Sequence, residues 1–384
     1  MKPNDAKRIM LLHSEAKVEF YSKYIQRYLR ILFLSPYITE INIYDVFCGT
    51  GIYDNGKKGS PLVTFDAIKA LRNAYPNIDK KINLVVNDSV KSKVVAVQSY
   101  IDSQNKNYCN VIYNNKGVDE MFDEIISVFR TQKHSSRNLL FIDPYGYKEI
   151  KNATLQALMS NLRTEIILFL PISQMQRFTT VAIESSEKPY EPLKQFVYSF
   201  FDSEHPIRSE KVSALDYIKY IKEALRFNKY YSTSYFIERD ASSYYALFFI
   251  THHILGFEKI LEVKWDMDEE GGKGFKLPSK PNLFAIADKQ QNINDSFEKL
   301  EHILKLLLRS SIDNKQLYAE ILRNEFLTEH AVRIFERWIE NKEPFQVQDY
   351  ATKVKARKGS YYLSYEYYNS RKNPEPKAIF SYKK

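Results

Sequence analysis

The sequence of 384 residues lacks the features of secreted, disulfide-bonded and membrane-spanning proteins. It has only two cysteines, Cys48 and Cys109, which are too few for a disulfide framework or a zinc cluster. No apolar run approaches the roughly 20 residues that cross a bilayer, and the charged N-terminus has no signal-peptide core. No internal repeat or low-complexity tract is visible. We therefore expect a reduced, cytoplasmic protein without a membrane partner.

The first two thirds of the chain alternate between apolar strands and amphipathic helices. Such alternation predicts a parallel sheet covered on both faces, an α/β fold of the Rossmann-like kind. A long helix at 7–35 precedes the pattern, and a helical insertion at 174–228 interrupts it. An antiparallel strand pair is expected at 230–239 and 243–253. The five strands predicted before the insertion are 41–47, 82–88, 110–115, 138–145 and 164–172.

The last third of the chain has a different pattern. A Gly/Pro/Lys-rich linker, 269–289, separates a first domain, 1–268, from a second, 290–384. Three short helical patterns and two strand-like segments in the second domain predict a winged-helix-like fold, whose third helix and wing face nucleic acid. A small helical packing or dimerisation domain is the alternative. The elements expected there include helix caps at Asp313 and Thr328 and strands at 344–350 and 361–368.

Most of the excess positive charge lies at the C-terminus. The formal net charge of the chain is +9, and residues 351–384 hold nine Lys or Arg, two acids and seven aromatic residues. A basic segment with interleaved rings suits phosphate contact and base stacking, and a solvated tail or a Tyr-rich hairpin is the alternative. The nucleic-acid contacts predicted here are Lys353, Lys355, Arg357, Lys358, Arg371 and Lys372.

The first strand ends in the most informative motif of the chain. An apolar run stops at Asp45, a turn containing Gly49 and Gly51 follows, and a helix is predicted with Ser60 as its cap and Pro61 at its first position. A strand, an acidic residue, a glycine turn and a helix N-terminus together form a site for a small molecule with a polar head.

Two details favour a nucleoside without phosphates over a dinucleotide. The next acidic residue at a strand end, Asp88, lies 37 residues beyond Gly51. In dinucleotide-binding folds the corresponding acid lies only about 20 residues after the glycine turn. The turn also lacks the third glycine. We expect Asp88 to hold ribose hydroxyls or to cap a helix, and Asp119 to meet adenine N6 or to be a first-turn acid. The expected cofactor contacts are Asp45, Phe47, Gly49, Gly51, Asp88 and Asp119.

A second motif, Asp143-Pro144-Tyr145, follows the fourth strand. A carboxylate and the next backbone carbonyl can accept hydrogen bonds from an exocyclic amine and orient its lone pair, while the ring of Tyr145 stacks on a flipped base. An Asx-Pro turn at the end of a buried strand is the alternative. The two motifs together point to S-adenosylmethionine and a methyl-accepting amine, with Asp143, Pro144 and Tyr145 at the catalytic position.

The other candidate motifs are weaker evidence of a functional site. Glu262 and Lys264 match the Glu-x-Lys of a restriction-type nuclease, but on a helix they would not lie together as that metal site requires. His13 and the pair His252–His253 have no metal-ligand pattern. We therefore expect no metal site.

The ordered set of motifs resembles the three-Cys-motif partner proteins through most of residues 13–265. Glycine turns of that family read Phe-Ala-Gly-x-Gly, and Cys48 replaces the alanine here. The matching parts are the helix around Lys17 and Tyr24, the DVFCGTGIY turn, GSP at 59–61, IDPYGY, EIILFLPISQMQRF with Arg177, and SYYALFFITHHILGFEKILEVKW.

The resemblance implies a class I methyltransferase Rossmann fold, often with a C-terminal winged-helix-like region. It also implies a partner protein with three clustered cysteines and, for some members, a mobile or phage-defence locus. Arg177 joins the expected nucleic-acid contacts. The predicted function is methyl transfer from S-adenosylmethionine to an amine of a nucleic-acid base. The alternatives are a non-catalytic adaptor that binds nucleic acid or the partner, and a nuclease.

Overall fold

A computed structural model describes residues 9–104, 107–226, 230–240, 243–277, 285–369 and 374–383. The chain divides into two compact units, residues 1–259 with 274–278 and residues 260–273 with 279–384. Within the described ranges, no helix is long and apolar enough to cross a membrane.

The first unit is built on one eight-stranded sheet. The strands are β1 (Glu40–Asp45), β2 (Lys81–Asn87), β3 (Asn110–Asn114), β4 (Ser136–Ile142), β5 (Thr164–Leu170), β6 (Tyr231–Asp240), β7 (Ser243–Thr251) and β8 (Gly274–Phe275). Their order is β3-β2-β1-β4-β5-β7-β6-β8. β1 to β5 are parallel, and β7 runs antiparallel between β5 and β6. The predicted Rossmann-like α/β sheet and the antiparallel pair are confirmed.

Helices cover both faces of this sheet. They are α1 (Leu12–Leu34), α2 (Ser60–Ala74), α3 (Lys91–Asp102), α4 (Val118–Thr131), α5 (Asn152–Met159), α6 (Ile172–Glu184), α7 (Glu191–Phe200), α8 (Pro206–Ser209) and α9 (Ala214–Ala224). A tenth helix, α10 (Ile254–Met267), begins in this unit and ends in the second. α6 to α9 form the predicted helical insertion. Two details of α2 were wrong: Gly59, not Ser60, is its N-cap, with an extended backbone whose N–H donates to the Gly51 carbonyl at 2.7 Å, and Pro61 is its second residue, not its first.

The strand order reverses between β1 and β4. These two strands pair in register, with Asp45 opposite Phe141, so the residues that follow them share one edge of the sheet. Ligands of open parallel sheets bind at such a reversal, beyond the carboxyl ends of the strands. The first seven strands thus form one Rossmann-like sheet, in which β7 alone of the seven is antiparallel to its neighbours.

A row of amides crosses the sheet near its other edge. Asn110, Asn83, Asn42, Asn138 and Thr164 stand opposite one another on β3, β2, β1, β4 and β5. Their side chains form a continuous series of hydrogen bonds, with donor–acceptor distances of 3.1, 2.6, 3.2 and 3.4 Å along the row. The three central asparagines are buried, so each satisfies its amide through its neighbours rather than through water.

The second unit contains helices and a three-stranded antiparallel sheet. The elements after α10 are α11 (Ala285–Leu307), β9 (Ile312–Asp313), α12 (Asn314–Arg323), α13 (Thr328–Glu340), β10 (Phe345–Asp349), α14 (Tyr365–Tyr368) and β11 (Ala378–Tyr382). The strand order is β10-β11-β9. Phe335, Trp338, Phe345 and Phe380 pack together between α13 and the sheet.

Several expectations for this region need adjustment. Asp313 caps α12 as predicted, but Thr328 is the first residue of α13, and Leu327 precedes it as the N-cap. The predicted strand at 361–368 is wrong: Tyr361 and Leu363 are buried, Tyr362 has φ +53°, and α14 follows. β11 supplies the strand instead. Within the predicted linker, 269–289, β8 pairs with β6, and α11 begins at Ala285.

Candidate functional site

The glycine turn after β1 opens onto free space. Gly49 has φ +59° and Gly51 has φ +75°, a region that residues with a side chain rarely adopt. A Cβ on Gly49 would meet nothing within 4 Å, so the backbone there is accessible to a ligand. A Cβ on Gly51 would lie 2.9 Å from Val97 Cγ2, so this glycine is also required by helix packing.

Asp45 presents a buried carboxylate beside this turn. The residue is 1% exposed, and neither carboxylate oxygen has a well-aligned hydrogen bond among the described residues, although the Ser60 hydroxyl and the Phe47 N–H lie nearby. Burial raises the pKa of Asp45 to about 7, and the nearby charge of Asp143 adds to this shift while Ser60, Lys17 and Phe47 oppose it. Buried carboxylates in folded proteins are normally well hydrogen-bonded. A cationic group of a ligand at the glycine turn would supply a stronger interaction.

Asp143 lies across the same edge of the sheet and is bound by Lys17 of α1. The Lys17 ammonium donates to Asp143 Oδ2 and lies 4.5 Å from the centroid of the Phe169 ring. Burial alone would lower the pKa of Lys17, but Asp143, Tyr53 and Asp45 outweigh it, so the pKa is raised and the side chain stays charged. Carboxylates and an aromatic face therefore surround one buried cation.

A short hairpin, residues 52–58, borders this group of charges. A bridge joins Ile52 to Lys58, and the Tyr53 N–H donates to the Lys57 carbonyl at 3.0 Å. The Lys57 side chain forms an ion pair with Glu15 of α1. Burial raises the pKa of Tyr53, which Lys17 opposes. The hairpin thus places a neutral phenol near Lys17, Asp143 and Asp45.

Asp88 is engaged by its own surroundings. Its carboxylate accepts from the Val90 N–H at 2.9 Å and from the Gly49 N–H at 3.3 Å, so it fixes both the start of the β2–α3 connection and the glycine turn. The buried Lys93 ammonium lies 3.5 Å from Asp88 Oδ2 and also donates to the Tyr145 hydroxyl. Asp88 is not the cap of α3, which begins at Lys91 with Val90 as its N-cap, so its bond to Val90 orders the segment before the helix. A ribose would have to share Asp88 with Lys93.

Aromatic residues line the other side of Lys17. The rings of Phe169 and Tyr245 stack with centroids 5.1 Å apart, and His13 stacks on Tyr245 at 5.4 Å. Tyr145, two residues after Asp143, is 69% exposed, and the Lys93 ammonium lies 4.3 Å from the centroid of its ring. The site thus has one largely exposed ring, whereas those of Phe169 and Tyr245 already pack on each other.

The remaining predicted residues are more dispersed. Pro144 is buried, and Phe47 is half-buried against the core. The exposed Asp119 carboxylate accepts from Lys151 at 2.8 Å, and Arg177 is exposed on α6. Lys353, Lys355, Arg357 and Lys358 are exposed in the second unit, whereas Arg371 and Lys372 lie outside the described residues.

The Glu-x-Lys pair lies on a helix, as predicted. Glu262 and Lys264 are both residues of α10. The Lys264 ammonium is buried and pairs with Glu325, whose backbone carbonyl accepts from the Trp265 indole at 3.0 Å. Lys264 therefore serves packing within the second unit.

Two residues that matter here were not assigned from the sequence. Lys17 was noticed only as part of a matching helix, and Lys93 was not singled out. Both are buried lysines paired with acids, Asp143 and Asp88. Lysines are rarely buried unless paired, so a lysine on the apolar stripe of α1 was the one available signal.

Comparison with known proteins adds limited information. No known protein family and no curated protein matches the sequence. Similar solved structures include an O-methyltransferase from Bacillus cereus in complex with SAH, with 12% identity, 60% of this chain and 80% of that chain covered, and a TM-score of 0.33. Another is Trm1 from Pyrococcus horikoshii with S-adenosyl-L-methionine, with 10% identity, coverage of 78% and 75%, and a TM-score of 0.30. At such TM-scores the likeness adds nothing to the strand order and the site geometry.

Proposed function

We propose that the protein is an S-adenosylmethionine-dependent methyltransferase that acts on an amine of a nucleic-acid base. The observation that carries this proposal is the buried Asp45, whose carboxylate has no well-aligned hydrogen bond among the described residues, beside an open glycine turn at the point where the strand order reverses. A cationic nucleoside matches this site better than a dinucleotide, because the site offers carboxylates and no cluster of phosphate-binding glycines.

The residues present fit this cofactor. The backbone at Gly49 and Gly51 would border its amino-acid part, and Asp45 would accept from its ammonium group. Asp88 would accept from ribose hydroxyls beside Lys93, with Phe47 and Asp119 as further contacts. When bound, S-adenosylmethionine supplies a methyl group that is already activated by a sulfonium, so the protein needs to position the acceptor more than to provide acid–base catalysis.

Asp143 would orient the acceptor. Lys17 donates to Oδ2 of this carboxylate, and Oδ1 has no donor among the described residues. An exocyclic amine could donate to Oδ1 and to the Pro144 carbonyl, which directs its lone pair away from both. Tyr145, largely exposed, would stack on the base. Lys17 holds the Asp143 carboxylate in place and is therefore a positioning residue.

The second unit would hold the nucleic acid. Its element order is helix, short strand, two helices, strand, short helix and strand, with the first strand pairing to the last, and a winged-helix-like fold would have this order with α14 as an addition. The basic residues Lys353, Lys355, Arg357 and Lys358 would contact phosphates, with Arg177, Arg371 and Lys372 as further candidates. A three-cysteine-motif protein is the proposed protein partner, and a cytoplasmic, mobile-element or phage-defence setting is the proposed context.

A non-catalytic adaptor is the second candidate. The observation that favours it is that Lys17 and Lys93 already pair with Asp143 and Asp88, so that two of the three acids at the site are neutralised without any ligand. Such a site could keep the Rossmann scaffold and serve only to bind nucleic acid or the partner.

Calorimetry and a transfer assay distinguish the two candidates. We expect the full chain to bind S-adenosylmethionine or its demethylated product at or below about 1 mM. We also expect it to transfer labelled methyl groups to unmodified DNA or RNA. Asp143→Asn should lower transfer at least about 100-fold while cofactor affinity stays nearly unchanged. Asp102→Asn, at an exposed position away from the site, is the matched control.

The possible failures have separate meanings. A chain that binds neither ligand at about 1 mM contradicts the cofactor assignment. A chain that binds cofactor without any transfer to nucleic acid supports the adaptor. Because Asp143→Asn leaves Lys17 without its partner, the double variant Lys17→Met, Asp143→Asn should be compared with Lys17→Met alone. Equal transfer by these two would remove Asp143 from the reaction.

A further inference from the structure

The outward face of α13 is acidic. Its exposed stripe carries Glu329, Glu336 and Glu340, with Arg333 among them. A second arginine on this helix, Arg337, forms an ion pair with Glu301. In a winged helix, this third helix is the element that enters the major groove. Three carboxylates on that surface would face two rows of phosphates, which like-charge repulsion disfavours.

Positive charge is concentrated instead on a neighbouring element, which we call the basic hairpin and define as residues 345–358. β10 forms its first strand, and the chain returns so that the Ala356 N–H donates to the Val347 carbonyl at 2.8 Å and the Asp349 N–H donates to the Val354 carbonyl at 2.8 Å. The returning segment therefore pairs with β10 and is held in a defined position.

The one acidic residue of the basic hairpin, Asp349, forms hydrogen bonds within the turn. The Asp349 carboxylate accepts from the Ala351 and Thr352 N–H groups at 3.1 and 2.8 Å, and from the Thr352 hydroxyl at 3.0 Å. These hydrogen bonds lower the pKa of Asp349. Lys353 has φ +58° at this turn, and its ammonium lies 4.5 Å from the centroid of the Tyr350 ring. The carboxylate thus orders the turn from which the cations project.

Four cations leave the basic hairpin toward solvent. Lys353, Lys355, Arg357 and Lys358 are all exposed; Val354 and Ala356 separate the first three, and Lys358 directly follows Arg357. An ordered hairpin with this spacing can follow a phosphodiester backbone, because lysine and arginine contacts to phosphates carry no sequence information.

We infer that nucleic acid binds to the second unit through the basic hairpin, and that α13 stays out of the groove. This inference rests on the proposed nucleic-acid function and names its contact surface. The ligand class is a phosphodiester backbone recognised without sequence preference. It also follows that target selection by this unit is weak, and that base recognition is left to the site in the first unit.

The salt dependence of binding gives the expected size of the effect of these cations on affinity. Each phosphate that a lysine or arginine neutralises contributes about −0.9 to the slope of log K against log salt for duplex DNA. Four contacts from the hairpin set a slope of about −3.6 at most. Lys355→Ala with Arg357→Ala removes two of them, so the slope should become shallower by about 1.8.

Fluorescence anisotropy of the full chain with a labelled 25-mer duplex of arbitrary sequence, from about 50 to 200 mM salt, tests this. The hairpin double variant should bind at least about tenfold more weakly at low salt, with the shallower slope. Arg333→Ala, which removes a cation from α13, is the matched control and should change affinity less than about twofold. Trp338 packs on Phe345 with ring centroids 5.3 Å apart, so its emission spectrum, recorded with Trp265→Phe to remove the other tryptophan, reports whether the hairpin keeps its place.

Each outcome has a defined consequence. An Arg333→Ala loss equal to that of the hairpin variant would overturn the inference, because α13 would then be a contact surface. Wild-type affinity in a correctly folded hairpin variant would overturn it as well. If the wild-type chain binds no duplex or single strand at low salt, both the inference and the nucleic-acid part of the proposed function fail. Cofactor binding is then judged separately by calorimetry.

Discussion

Protonation of Asp45 should control cofactor binding. Without a ligand, burial holds the pKa of this carboxyl at about 7. A cationic ligand beside the glycine turn would stabilise the carboxylate and lower its pKa. The sign follows directly: binding is favoured when Asp45 is ionised, so affinity is full above pH 7 and is lost as pH falls through 7.

The size of the effect follows from the same shift. If the pKa of Asp45 falls from about 7 in the free chain to about 5 or below in the complex, the cofactor should bind about tenfold more weakly at pH 6 than at pH 8. That ratio corresponds to about 1.4 kcal/mol. Asp45→Asn should remove most of this pH dependence and should also weaken binding at pH 8, because the amide carries no charge.

Calorimetry in two buffers with different ionisation enthalpies measures this linkage. At pH 6, binding to the wild-type chain should release close to one proton from the site, and binding to Asp45→Asn should release markedly less. Asp102→Asn should behave like wild type. Measurable binding that is equally strong at pH 6 and pH 8, or that strengthens as pH falls, would refute the role of Asp45.

Two further predictions concern stability. Burial raises the pKa of Glu165 to about 7, so the folded chain holds a proton that the unfolded chain loses near pH 4.5. The contribution of Glu165 to the free energy of unfolding should therefore fall by about 3 kcal/mol as pH rises from about 4.5 to about 7. Glu165→Gln should remove this fall, as hydrogen exchange of β5 peptides can measure, and an unchanged pH dependence would contradict it. Gly51→Ala should destabilise the first unit by about 2–3 kcal/mol. Gly56→Ala, which has φ +76° but nothing within 4 Å of an added Cβ, should cost only about 1 kcal/mol in chemical denaturation. Equal losses would exclude the contact with Val97.

The fold of the first unit could be predicted because its signals are local. Each of these signals is a short stretch of consecutive residues: the apolar runs that end at Asp45 and Asp143, and the glycine turn between β1 and α2. The second unit was harder. The segment 361–368 has the composition of a strand, yet Tyr361 and Leu363 turn inward and α14 follows. Tertiary packing, and not the strand propensity of its residues, therefore determines the structure of this segment.

The candidate site was only partly predictable for a related reason. Asp45 and Asp143 were predicted at the ends of the first and fourth strands, and the pairing of β1 with β4 makes these two ends neighbours. The partners of Asp143 and Asp88 could not be found in this way. Lys17 is 126 residues away from Asp143 along the chain, and nothing in a local pattern says which buried lysine meets which acid.

The amide row across β3, β2, β1, β4 and β5 has a consequence for how the sheet assembles. Four of the strands carry similar apolar segments, INI, INL, NVI and NLL, which could slide by two residues and still bury their side chains. A slide of any one strand would bring a buried asparagine against an aliphatic neighbour and leave its amide unsatisfied, at about 1–3 kcal/mol for each group. One asparagine on each of β1 to β4, continued by Thr164 on β5, therefore acts as an alignment mark. It makes a single register of neighbouring strands the stable one, and so fixes the level at which the two strand ends of the site meet.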